Sequence, residues 1–331
     1  MKYKIYRLYF SVGLRVGAGK MESNTIDLPS DVLFSAMINE AAQMDATICD
    51  KVIELFREKK LVLSDGFPFI SDDYFLPKPM ISIDGRDNDA SDKKLFKKIA
   101  YIPLEDFPLF LNGESNPESL LKELGNLGRN QMDAKIQKMA DGENELYNVS
   151  YYRFGRDNGL YFILGFDGDE AETLFDEILY GLSYTGIGGK KTAGLGKFTL
   201  EEDDLPSPLR GKINTPGGTI LLSTSMAQED ELDQLDPTSA YALVRRGGFI
   251  YSEDAVGSAH VSRRKRTMHF FKAGAIFNRQ FKGDLFRVDN GYVHPVYRYG
   301  IPMWLEVQYE SIRHLTYHRR PRPCGMWRHI G

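Results

Sequence analysis

The segment Tyr184–Phe198 reads YTGIGGKKTAGLGKF, and the elements it joins decide the fold. Upstream, Asp169 caps a helix that runs to about Leu182, with Leu174, Ile178 and Leu182 on one apolar stripe. Downstream, Lys197–Glu201 is a strand. Further back, Tyr147–Phe154 and Leu160–Phe166 form a hairpin turned by Asp157-Asn158-Gly159, residues that accept positive φ. The opening strand, Lys2 to about Val12, places Ile5 on one face and Tyr6, Leu8 and Phe10 on the other. A glycine-bearing loop leads to a helix with Ser30 as N-cap and Leu33, Ala36, Met37 and Ala41 at helical spacing. A second helix, about Asp45 to Lys60, buries Ile48, Val52, Leu55 and Phe56. Between about residues 61 and 146 the aromatic–proline clusters FPF, FLPKP and IPLEDFPLF mark an insertion. With that insertion set aside, residues 1–204 run strand, helix, strand, strand, helix, strand. This is the ferredoxin-like order, shared with RNA-recognition modules, and the fold class is α+β.

An acidic, proline-bearing stretch, Glu201–Pro208, marks the boundary of a second, strand-rich domain over residues 209–307. Its strands are expected at Thr219–Ser225, Ala242–Tyr251, Thr267–Phe277, Phe281–Val288 and Val296–Val307. Residues 308–331 carry five arginines and one acid, a net of plus 4, which leaves minus 8 on residues 1–307. That basic tail reads either as an interaction arm or as sequence foreign to the body and disordered, the second being the expectation. No apolar run is long enough to span a membrane, and the alternating start MKYKIYRLYF lacks a signal-peptide core, so a cytoplasmic protein is expected. Two cysteines, Cys49 and Cys324, are too few for a disulfide framework.

The glycines of the Tyr184–Phe198 loop let backbone amides face a phosphate, and Lys190, Lys191 and Lys197 add positive charge. It is not a P-loop: Tyr184 stands where the first glycine belongs, and Lys191 stands where Ser or Thr would follow the lysine. A second basic patch, Arg263-Arg264-Lys265-Arg266, precedes the aromatic strand Met268–Lys272, and Arg245-Arg246-Gly247-Gly248 is a weaker third. No histidine occurs before His260, so a histidine base in the first domain is excluded. His269 on its aromatic strand reads as structural, and no metal or cofactor is expected.

Four stretches, LPSDVLFSAMINEAA (Leu28–Ala42), FPFISDDYFLPKP (Phe67–Pro79), GLSYTGIGGKKTAGLGKF (Gly181–Phe198) and FKAGAIF (Phe271–Phe277), resemble in the same order the family of fourth subunits of the Csm complex of type III-A CRISPR systems, within the RAMP superfamily. The likeness spans roughly residues 1–307 and ends near Met303–Val307, which also marks the tail as foreign. It implies two ferredoxin-like domains, the first with a thumb in the inserted region. It further implies a non-catalytic subunit that holds the 5′ handle of the CRISPR RNA and docks the large polymerase-like signalling subunit beside a backbone RAMP subunit. Gly186, Gly188, Gly189, Lys190, Lys191, Gly194 and Gly196 match the family's handle loop, with Lys197 beside them, and Arg263–Arg266 match its basic residues more loosely. Phe67, Phe69 and Phe75 are the expected stacking or wedging side chains. Two other readings stand beside this one: a RAMP endoribonuclease that processes the RNA precursor, and a scaffold that touches only proteins.

Overall fold

Strand β1 (Lys2–Phe10) is covered on both faces, with Ile5, Tyr6 and Leu8 fully buried. The computed structural model describes residues 1–17, 26–81, 90–138, 144–250, 264–292 and 294–307, so the basic tail lies outside the described residues. After β1 come α1 (Ser30–Met44), α2 (Ala46–Arg57), β2 (Leu61–Leu63), β3 (Phe67–Ile70), β4 (Asp73–Pro77), α3 (Ala90–Lys98), β5 (Tyr101–Pro103), α4 (Phe107–Asn112) and α5 (Pro117–Gly125). A long ribbon follows, β6 (Gly128–Lys138) and β7 (Asn144–Phe154), then β8 (Asn158–Phe166), α6 (Asp169–Thr185) and β9 (Phe198–Asp204). The second half holds β10 (Gly218–Leu221), α7 (Glu229–Leu232), β11 (Leu243–Arg246), β12 (Met268–Phe271), β13 (Leu285–Arg287), β14 (Tyr297–Tyr299) and β15 (Trp304–Glu306).

The main sheet is antiparallel in the order β5-β4-β3-β8-β1-β9, with β2 also on β8. Every residue of β8 is buried, as a central strand between covered faces requires. On the Tyr6 side of β1 lies α6, where the Tyr6 and Phe175 rings meet at 5.6 Å, and α1 packs beside it. The end strand β9 exposes Glu201, Glu202, Asp203 and Asp204.

Three expectations need correction. The segment Tyr147–Phe154 does not pair with Leu160–Phe166: β7 pairs along its length with β6, while β8 takes β1, β2 and β3 as partners. The turn signal at Asp157-Asn158-Gly159 is real, with Asp157 at φ 58°, but the strands it joins diverge into different sheets. The region from residue 61 is accordingly not all insertion, because β2 and β3 are partners of β8 in the main sheet. Finally, Ser30 is the first helical residue rather than the cap. Its amide donates to Asp65 (2.8 Å) and its hydroxyl to the Thr224 carbonyl (3.1 Å). The same buried Asp65 accepts the Thr224 amide (2.6 Å) and hydroxyl (2.7 Å), and burial pushes its carboxyl up to about 6.

In the second half the strands pair two by two, β10 with β15, β11 with β12 and β13 with β14. They are shorter than expected. Thr267–Phe277 is strand only over β12, because Gly274 at φ 89° brings the chain so close to Lys78 that a Cβ would lie 2.4 Å from its carbonyl oxygen. The principal core crosses between the halves. Tyr299 meets Phe34 at 5.7 Å and Phe56 at 5.8 Å, and its hydroxyl accepts the Leu63 amide at 2.8 Å.

Candidate nucleic-acid interface

The glycine loop is shaped by close approaches. Gly186, Gly188, Gly194 and Gly196 all have positive φ. A Cβ on Gly196 would lie 1.9 Å from the Ile187 carbonyl oxygen, and one on Gly188 2.3 Å from that of Arg15. The amides of Gly186, Gly189, Gly194 and Gly196 donate to Leu182, Arg15, Lys191 and Gly13 respectively, at 2.7–2.9 Å. These glycines therefore bind the loop to the chain after β1 instead of aiming their amides outward. Positive charge is what the loop presents: Lys191 and Lys197 are exposed, and Lys190 sits in the left-handed region at φ 60°.

That turn directs Lys190 at the ribbon. Its ammonium is 4.7 Å from the ring centroid of Tyr147 and 3.4 Å from its hydroxyl, a cation–π arrangement. The ribbon root is tied to the same region by reciprocal amide bonds between Leu14 and Tyr152, both 2.8 Å, and by the Arg15 guanidinium donating to the Ser150 carbonyl. Between loop and ribbon lies a cleft of about 90 Å³ lined by Val12, Asp133, Lys135, Tyr147, Tyr151 and Lys190, among others. Along the ribbon, Lys135 stands opposite Tyr147, and the exposed Arg129 stands opposite the exposed Arg153. Two like charges directly across a ladder disfavour each other unless an anion joins them.

The second patch splits. Arg264 is exposed and its guanidinium lies 5.5 Å from the ring centroid of the exposed Phe249. Lys265 turns inward, where burial pushes its ammonium down to about 8. Arg266 is exposed, and Arg263 lies outside the described residues. On the neighbouring strands Arg245 pairs in register with His269, and both are exposed, so His269 is a surface residue. The glycine loop and this patch are separate surfaces, one on each half.

Phe67, Phe69 and Phe75 are not stacking residues. Their rings are at most 1% exposed, because β3 and β4 sit inside the main sheet. The accessible aromatics are Tyr147 and Phe249, whose exposure follows from register and turn geometry that composition does not reveal. Among the described residues no helix is long and apolar enough to cross a membrane.

An antiparallel α/β sheet with these attachments is the fold of subunits from type III CRISPR effector assemblies. A chain from the crystal structure of a Csm3–Csm4 subcomplex of the type III-A CRISPR–Cas interference complex superimposes with a TM-score of 0.62 at 19% identity, covering 93% of this chain and all of that one. One from a Csm1–Csm4 cassette crystallised with pppApA gives 0.57 at 18% identity, with coverage of 93% and 98%. The family description of the CRISPR Csm4 C-terminal domain matches residues 215–307. The CRISPR system Cms protein Csm4 of Mycobacterium tuberculosis is 33% identical over 92% of this chain and 98% of its own length, and that of Streptococcus thermophilus 27% over 93% and 100%. The chain belongs to the Csm4 family and is a subunit of a Csm complex.

Proposed function

We propose that this subunit is a non-catalytic holder of single-stranded RNA, gripping the 5′ handle of the CRISPR RNA and docking the large signalling subunit beside a backbone RAMP subunit in the cytoplasm. The observation that carries the reading is Lys190 poised over Tyr147 at the cleft between the glycine loop and the ribbon, with Lys135, Lys191 and Lys197 nearby in sequence or register. Lysines can neutralise phosphates there while an aromatic ring offers a base a stacking surface. The strand order β3-β8-β1-β9, with α1 and α6 between strands, supports a ferredoxin-like first domain whose ribbon is the thumb. The match beginning at residue 215 supports a separate C-terminal domain. Relatives solved with Csm3 and with Csm1 support the two protein partners.

The test is Lys190→Ala combined with Lys191→Ala in the assembled complex. Retained CRISPR RNA falls, and the slope of log affinity against log salt becomes shallower by about 1.4 if each lysine neutralises one single-strand phosphate. Wild-type retention and slope would overturn the loop's role. Metal-independent cleavage of labelled precursor by the purified chain would overturn the non-catalytic reading.

A further inference from the structure

Where α1 meets the second half, three cations gather around one carboxylate. Asp31, in the first turn of α1, takes the Arg246 Nε at 3.0 Å and also pairs with Arg298, whose other nitrogen donates to the Gly247 carbonyl at 2.8 Å. The Arg298 side chain is 6% exposed, and its Nε is buried with no acceptor. Lys265 faces the same pair: its ammonium lies 3.3 Å from the Ser35 hydroxyl and is repelled by Arg298. The cluster thus holds three positive charges against one negative, in a region where an unbalanced charge is costly. It is reachable, since Arg246 is one-fifth exposed and Arg264 and Arg266 flank Lys265 at the surface. The segments β11 to Phe249 and Arg264 to β12 contain no acid.

We propose that Arg246, Lys265 and Arg298 form a phosphate subsite for single-stranded RNA at the junction of the two halves, entered past Phe249 and Arg264. The proposal rests on the RNA-holding reading and adds a second grip, remote in sequence from the glycine loop. Guanidinium forks suit phosphate oxygens, and the unmatched Arg298 Nε is a donor aimed into the cluster.

The test measures binding of a fluorescently labelled single-stranded RNA by the full chain across a salt series. Lys265→Met should weaken binding roughly 4-fold near 0.15 M salt and make the salt slope shallower by about 0.7, one single-strand phosphate contact. Lys265→Arg should retain wild-type binding. Because Lys265 adds to a positive surplus, Lys265→Met should not lower the unfolding midpoint, which separates a lost contact from a damaged fold. Protection by inorganic phosphate alone, seen as a raised midpoint in the wild type and absent from Lys265→Met, would support a site for free phosphate in place of RNA and would overturn the RNA assignment if RNA binding is unchanged. Wild-type affinity and slope in Lys265→Met, with Lys190→Ala/Lys191→Ala weakened, would overturn the subsite and leave the loop reading intact. Unchanged binding in both variants would overturn both.

Discussion

Gly196 and Gly211 have nearly the same φ, 81° and 72°, but a Cβ on Gly196 would strike the Ile187 carbonyl while one on Gly211 meets nothing within 4 Å. Gly211→Ala should therefore cost only the left-handed backbone penalty, about 1–2 kcal/mol. Gly196→Ala should cost clearly more, about 3 kcal/mol or above, since crowding adds to that penalty; urea unfolding of the two variants checks the difference. Asp65 gives a pH signature. Its folded carboxyl sits at about 6 against an ordinary 3.8, so the folded state holds the proton more tightly than the unfolded chain. Its contribution is most favourable below pH 4 and is lost as pH rises through 6, a change of roughly 3 kcal/mol. Subtracting the unfolding free energies of Asp65→Asn from the wild type at pH 4 and pH 7 should reveal that loss; a flat difference would refute it. At this scale the sequence showed which residues matter more readily than why. The glycines of the loop stood out, yet their reason is the approach of Gly13 and Arg15, residues some 170 positions away. Phe67, Phe69 and Phe75 looked like surface aromatics among prolines, because nothing local announces that their strands enter a central sheet.

Among the elements, the ribbon is the one whose parts separate cleanly. Far from its root, Ile136 and Leu146 stand opposite each other at 64% and 71% exposure. Replacing both with Asn should change unfolding free energy by no more than about 0.5 kcal/mol, as measured by denaturant titration. The root behaves differently. Buried Asn158 donates to the carbonyls of Asn126 (2.9 Å) and Leu127 (3.2 Å) and accepts from the Ser71 amide (3.2 Å). Asn158→Ala should cost about 2 kcal/mol by orphaning those groups. The helices over residues 30–60 and 169–185 were legible because their apolar spacing is local. The pairing of the strands was not. A turn signal predicts that two strands are neighbours, but β8 is buried throughout and has stronger partners in β1, β2 and β3, so the nearby β7 is left to β6.

At the scale of the molecule, the shared core makes the halves interdependent. Near-ultraviolet dichroism and far-ultraviolet dichroism should report one coincident denaturant transition, and two resolved midpoints would contradict it. Asp31→Ala, which leaves Arg298 and Arg246 unpaired at the junction, should lower stability by about 3–5 kcal/mol. The acidic body was readable from composition, but the places where positive charge is concentrated depend on tertiary placement of Lys190, Arg246 and Arg298. The acid run that closes the main sheet carries its own consequence. Two copies brought together along β9 would set four carboxylates against four more over a strand that otherwise offers unpaired backbone groups. The chain is thereby kept from adding to itself: its sheet has a stop built into one border, and stacking of like upon like ends there.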